Sequence, residues 1–150
     1  MKIIERNYVV ALPLDHGDNL LLQRKDNAYR FWPNYWCTFG GGIKEGENLT
    51  DTLLREMREE NGLILTDINL FTSHDFSDFT KVGDPINRRG TVHYFGAKFD
   101  GDLTKVRLKE GAGFSTFDRN ELWRYNKFGL IVPYNYEVID RFMNSISQQS

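Results

Sequence analysis

The chain has a single cysteine, Cys37, so no disulfide can close within it, which suits a reducing compartment and an expected cytoplasmic location. It has no apolar run long enough to span a bilayer. Its first ten residues, MKIIERNYVV, carry Glu5 and Arg6 where a signal peptide needs its apolar stretch, so no leader is expected. It has no basic excess: 19 Lys and Arg face 21 Asp and Glu, for a formal net charge of −2. Nothing global therefore draws it to nucleic acid or an acidic membrane, and a polyanionic substrate would need a local cation or metal ions. It also has no internal repeat, linker or low-complexity segment. At 150 residues, with 40% hydrophobic and 27% charged residues, it is expected to fold as one domain over 1–150 with a real core.

What is present is a glycine run leading into one helix. Asn48 is a good N-cap with Asp51 three residues on, and Asn61-Gly62 supplies a left-handed stop, so a helix is predicted from about Leu49 to Asn61. Leu53, Leu54 and Met57 give it an apolar stripe. Glu56, Glu59 and Glu60 follow i, i+3, i+4 spacing and share a face. Each like-charged pair on that face costs roughly 0.2–0.5 kcal/mol, and acids in a last turn oppose the helix dipole. A rule broken locally points to function, and clustered hard oxygens suit Mg²⁺ or Mn²⁺.

Around this segment, Tyr8–Leu12 and Leu20–Arg24 read as a strand hairpin, with His16 in its turn. Trp36–Phe39 reads as a short strand feeding the glycines. A strand, or two broken ones, is expected over Ile64–Phe76, a loop over Ser77–Gly90 and a strand over Thr91–Phe99. His93 reads as a packed strand residue. A strand near Phe114–Phe117 leads to a short helix capped by Asp118, with Glu121 three residues on. Pro133 opens a last helix through about Met143, with Val138, Ile139 and Phe142 inward and a frayed tail from Ser145. Cys37 reads as a small core residue. Phe31, Trp32, Tyr35 and Trp36 serve packing or stack on a substrate base, with Trp32 and Tyr35 the candidates. Arg88, in the expected loop, is a candidate for reaching a phosphate.

Gly41, Glu47, Arg55-Glu56-Met57, Glu59-Glu60 and Gly62-Leu63, at their spacing, satisfy every fixed position of the Nudix box. The chain therefore resembles a Nudix (MutT-like) hydrolase. The resemblance implies an α/β/α sandwich around a mixed sheet. It also implies a divalent cation, Mg²⁺ in most members, and hydrolysis of a nucleoside diphosphate linked to another group. It makes Glu59 and Glu60 the main metal ligands, with the Gly40 carbonyl completing the inner set and Glu56 a further ligand or the general base. Arg55 would orient Glu56, Glu47 would hold the loop, and Gly41 and Gly62 would meet backbone demands. A second acid from beyond the sheet is common in the family, and Glu110, in LKEGAGFSTFDRNEL, is the candidate here. Phe39 stands where many members have proline, and Lys44 where an acid is common.

Outside the box the coenzyme A motifs are missing, and the downstream proline or tyrosine of ADP-ribose and diadenosine polyphosphate enzymes is absent, with Phe79 near the latter's position. By elimination, a nucleoside triphosphate, oxidised or otherwise non-canonical included, or a nucleotide sugar is the expected small-molecule substrate. Long nucleic acid and membranes are not expected partners. Dimers are common in the family, and no stretch here marks an interface. The rival reading is a non-catalytic nucleotide-sensing Nudix module, which commonly loses box carboxylates; this chain keeps them all.

Overall fold

The structure is a computed structural model that describes residues 2–28, 32–78, 86–109 and 111–147. In chain order the elements are β1 (Lys2–Glu5), β2 (Tyr8–Leu14), β3 (Leu20–Arg24), β4 (Trp36–Cys37), β5 (Phe39–Gly42), α1 (Leu49–Glu60), β6 (Thr66–Asp78), β7 (Ile86–Lys98), β8 (Gly113–Phe117), α2 (Arg119–Lys127) and α3 (Pro133–Ser147), with a 3₁₀ turn at Leu103–Lys105.

The strands make one mixed sheet around β7 and β2. β1 and β2 run parallel to successive stretches of β7, and β6 pairs antiparallel along its other edge. β2 is bonded on its far side to β5, Tyr8 opposite Gly42 through Ala11 opposite Phe39, and to β3 at Leu14–Leu20. β3 pairs with β4 and β8.

Alternation along the strands divides the core in two. Val9, Ala11, Leu21 and Phe95 face α1, where they pack with Leu53 and Met57. Val10, Leu12, Leu20, Leu22 and Tyr94 face the other way, against Leu122 of α2 and Val138, Ile139, Phe142 and Met143 of α3. Because both faces of β2 are covered, its apolar run is nearly continuous. The result is the expected α/β/α sandwich.

Three expectations need correction. Trp36–Phe39 is not one strand: it breaks at Thr38, where the side-chain oxygen of buried Asn135 accepts the Thr38 N–H at 3.2 Å, and the two halves pair with different strands. Within the loop expected over Ser77–Gly90, the described residues, 77–78 and 86–90, are strand. β6 runs on to Asp78 and β7 starts at Ile86, so Arg88 and Arg89 sit in a ladder beside β1, with Arg89 paired to Glu5 at 2.8 Å. Residues 79–85, which include Phe79, lie outside the described residues. The helix at the end does not fray at Ser145 but continues to Ser147. The Asp118–Glu121 capping box forms as expected. No helix among the described residues is long and apolar enough to cross a membrane.

Candidate active site

The carboxylate-bearing helix is fixed at both ends. At its start the Asn48 side chain accepts the Asp51 N–H at 2.8 Å; Asp51 answers by accepting from the Asn48 amide rather than from its backbone, so the box closes side chain to side chain. At its end Gly62, at φ +75°, turns the chain in the left-handed region and donates to the Met57 carbonyl at 2.9 Å. The Asn61 side chain is fully buried and accepts the Leu63 N–H at 2.9 Å, while its carbonyl accepts the Arg107 N–H. Sequence reasoning took Asn61 only as a stop; the structure makes it a latch between α1 and the segment after the 3₁₀ turn. The Lys109 N–H extends that segment by donating to the Glu60 carbonyl at 2.9 Å. Glu110 lies outside the described residues.

Arg55 is the hub. Its Nε and Nη2 donate to the two oxygens of Glu47 at 2.7 and 2.9 Å, a bidentate pair. Nη2 also reaches the Gly42 carbonyl at 3.2 Å, and Nη1 donates to Glu56 at 3.0 Å and to Glu59 at 3.1 Å. One nitrogen thus gathers two of the three box carboxylates, and the like-charge repulsion along the helix face is offset locally. Glu47 also accepts from the Lys44 N–H at 2.9 Å and the Thr52 hydroxyl at 3.3 Å. Hydrogen bonds from Arg55, then from the Lys44 backbone, hold its carboxyl down at about 2. Those to Glu47 and then Glu56 push the Arg55 guanidinium further above its usual range.

The glycine run explains where Glu56 goes. A β-carbon on Gly41 would stand 2.1 Å from the Glu56 carboxyl carbon, so that carboxylate lies directly on the bare α-carbon. Glu56 is buried, with 8% exposure, while the Glu59 side chain is about half exposed at 48%. The peptide that joins Gly40 to Gly41 therefore borders Glu56.

The other candidates lie elsewhere. Trp32 and Tyr35 stack edge-on at 5.1 Å in the β3–β4 loop, with Trp32 at positive φ. The Tyr35 carbonyl accepts the Lys25 N–H next to the end of β3, whose Arg24 carbonyl accepts the Ala112 N–H. Trp36 is spent in the core against Phe117 and Tyr125. Phe31 lies outside the described residues. Arg88 stands in register with Ile4 and Asp78. His16 is exposed in its turn. His93 bonds Ser73 at 2.7 Å. Burial raises the Cys37 thiol to about 11, which leaves it inert. A cavity of about 380 Å³ between α2 and α3, lined by Arg119, Trp123 and Asp140 among others, is on the opposite side of the sheet from α1 and holds none of the box residues.

Among the described residues no three His, Cys, Asp or Glu side chains converge into a metal cage. The donor set still fits a hard cation. Mg²⁺ keeps several waters and is held by one or two carboxylates plus substrate phosphates rather than by an all-protein cage. A half-exposed Glu59 and a buried Glu56 bonded to one guanidinium nitrogen suit that mode.

A glycine-bordered helix of clustered acids, set in a mixed α/β/α sandwich, is the arrangement of one class of proteins, and comparison with known families agrees. The NUDIX domain model matches residues 5–142, so the chain belongs to the Nudix hydrolase family. The "Nucleoside triphosphatase NudI" proteins of Salmonella arizonae and Salmonella newport are each 41% identical to it over 73 residues, 47% of this chain and 51% of theirs. The chain thus matches these curated relatives over about half their length. Among solved structures, the Escherichia coli dihydroneopterin triphosphate pyrophosphohydrolase superposes with a TM-score of 0.70 at 16% identity, covering 96% of this chain and 99% of that one. The MutT structure from Aliivibrio salmonicida and Vibrio cholerae work gives 0.63 at 18%, covering 98% and 100%. These likenesses show a shared fold.

Proposed function

We propose that the chain is a single-domain, cytoplasmic pyrophosphohydrolase that depends on a divalent cation and acts on a nucleoside triphosphate. The observation that carries this is the Arg55 hub, which gathers Glu56 and Glu59 beside bare Gly41 at the end of α1. The partial match to the nucleoside triphosphatase relatives favours a triphosphate over a nucleotide sugar.

In this reading Glu59 and Glu60, with Glu56 and the Gly40 carbonyl, would hold Mg²⁺ or Mn²⁺. The bound cation supplies charge neutralisation of the pyrophosphate and a more acidic water. The chain's own residues do the rest. Glu47 locks the Arg55 fork, and Arg55 fixes one oxygen of Glu56. The other Glu56 oxygen, which accepts no hydrogen bond among the described residues, takes a cation or the proton of the attacking water. Glu110 is the second candidate for that proton. Catalysis is then mostly positioning and electrostatics.

The test is a panel of nucleoside triphosphates, oxidised nucleotides, nucleotide sugars and dinucleotides with Mg²⁺ or Mn²⁺ and with products identified. Release of pyrophosphate or phosphate from a triphosphate is expected. Hydrolysis of nucleotide sugars alone would overturn the substrate class, and tight nucleotide binding without turnover would return the chain to a sensing role.

A further inference from the structure

Helical spacing sets two faces against each other on the side of the sheet away from the box residues. Arg119, Leu122 and Trp123 fall at i, i+3 and i+4 on α2, and Tyr136, Ile139, Asp140 and Met143 at i, i+3, i+4 and i+7 on α3. Together they line a cavity of about 380 Å³. Its floor belongs to the core: Leu122, Ile139 and Met143 are 2%, 0% and 4% exposed. Its walls are aromatic. Trp123 is 54% exposed, with the Lys127 ammonium over its ring at 4.8 Å, and Tyr136 is half-buried. Small-molecule sites have this build, an apolar interior with a few fixed polar groups, and occupy about 300–1,000 Å³. A cavity at the low end of that range takes a ligand of amino-acid size rather than a nucleotide.

The charged groups of the cavity are one of each sign. Arg119 and Asp140 both line it, and they form no ion pair with each other. Arg119 donates to the Asn144 side chain. A guanidinium carries five N–H donors in a fixed fork, so this bond orients it without using it up. The Asp140 carboxylate has no hydrogen-bond or ion-pair partner among the described residues. Both charges act on the same wall. Burial raises the Tyr136 hydroxyl above its usual range, Asp140 adds to that, and Arg119 opposes it.

This pairing selects among ligand classes. An anion would face Asp140, and a cation would face Arg119. A purely apolar molecule would strip water from both charges and return nothing. A zwitterion with an apolar body meets all of the surfaces at once.

We propose that the cavity between α2 and α3 binds a free α-amino acid with an apolar side chain. Arg119 takes its carboxylate, Asp140 takes its ammonium, and the side chain lies on the Leu122–Ile139–Met143 floor between the Trp123 and Tyr136 rings. The inference goes beyond the hydrolytic reading and does not depend on it, since the cavity holds none of the box residues.

The experiment is calorimetric titration of the full chain at neutral pH with three ligands of one shape. L-phenylalanine carries both charges, 3-phenylpropionate lacks the ammonium, and 2-phenylethylamine lacks the carboxylate. The wild type should bind L-phenylalanine about tenfold more tightly than either analogue, the worth of one charge-assisted hydrogen bond. Asp140→Asn should erase the preference over 3-phenylpropionate, and Arg119→Gln the preference over 2-phenylethylamine. Trp123→Ala should weaken all three. All three substituted side chains are exposed, so the variants are expected to fold, and circular dichroism checks this. A wild type that binds L-phenylalanine no more tightly than its single-charge analogues would overturn the proposal. So would a folded Asp140→Asn or Arg119→Gln protein that keeps the wild-type preference, or a Trp123→Ala protein with unchanged affinity, which would put the ligand elsewhere.

Discussion

Gly41→Ala is a one-carbon perturbation aimed at the centre of the site. The new β-carbon would lie 2.1 Å from the Glu56 carboxyl carbon and 2.2 Å from one of its oxygens. Ordinary carbon contacts need about 3.5 Å, so the carboxylate must withdraw by more than about 1 Å. It cannot do so and keep its 3.0 Å bond to Arg55. A displacement of about 1 Å at a reacting group can reduce turnover about 100-fold. The effect on stability is smaller. One charge-assisted hydrogen bond contributes about 1.5–3 kcal/mol, and the narrower unfolded ensemble of alanine returns about 0.4–1 kcal/mol, since the Gly41 backbone is not in the left-handed region. A net loss of about 1–2 kcal/mol lowers Tm by roughly 2–8 °C for a chain of this size. Steady-state hydrolysis of the preferred nucleotide, paired with a thermal melt, reads both. The expected result is a folded protein with kcat down about 100-fold, partly restored by adding Glu56→Asp, whose shorter side chain clears the β-carbon. A folded Gly41→Ala protein with kcat within about threefold of wild type would refute the reasoning that Glu56 works from its place on Gly41.

Asn61→Ala removes a buried acceptor from the Leu63 N–H and should destabilise by about 1–3 kcal/mol, visible as a shifted urea midpoint with an unchanged slope. Gly62→Ala forces a β-carbon into φ +75° and should lose about 1–2 kcal/mol in the same assay. The Glu47 carboxyl is depressed from 4.5 to about 2 by its bonds to Arg55 and Lys44. Its folded value is the lower one, so its stabilisation is fully present above about 4.5 and lost as pH falls through 2; the stability gap between wild type and Glu47→Gln should close over that window in acid melts. Cys37, its thiol raised to about 11 by burial, should react with an aromatic disulfide reagent at neutral pH only as fast as the protein unfolds.

Local signals carried much of the fold. The Asn48 cap, the Gly62 stop and the apolar stripe place α1 within a residue of its observed ends, since all three act within a turn of themselves. β3 and the Asp118-capped helix were equally visible for the same reason. The break at Thr38 was not, because its cause is Asn135, 97 residues away. The polar stretch after Phe76 resembles a loop in composition, yet its described ends, 77–78 and 86–90, lie in strand ladders, where Arg89 pairs with Glu5 of β1. Exposed strands of this kind lack the apolar alternation that marks a half-buried one. At the site, residue spacing was enough to find the acids and their shared face. It did not reveal that Arg55 binds Glu47, Glu56, Glu59 and the Gly42 carbonyl at once. That arrangement depends on ladder register and on space left by glycines.

The central claim is that the acids at the end of α1 hold a cation for phosphoanhydride hydrolysis. Its most direct test is Mg²⁺-dependent release of phosphate or pyrophosphate from the best substrate of the panel, comparing wild type with Glu60→Gln. A thermal melt of the variant establishes that it is folded before its activity is compared. The account predicts activity that vanishes in EDTA, returns with Mg²⁺ or Mn²⁺, and falls at least about 100-fold in the variant. Undiminished hydrolysis by Glu60→Gln, or wild-type hydrolysis that persists in EDTA, would contradict it.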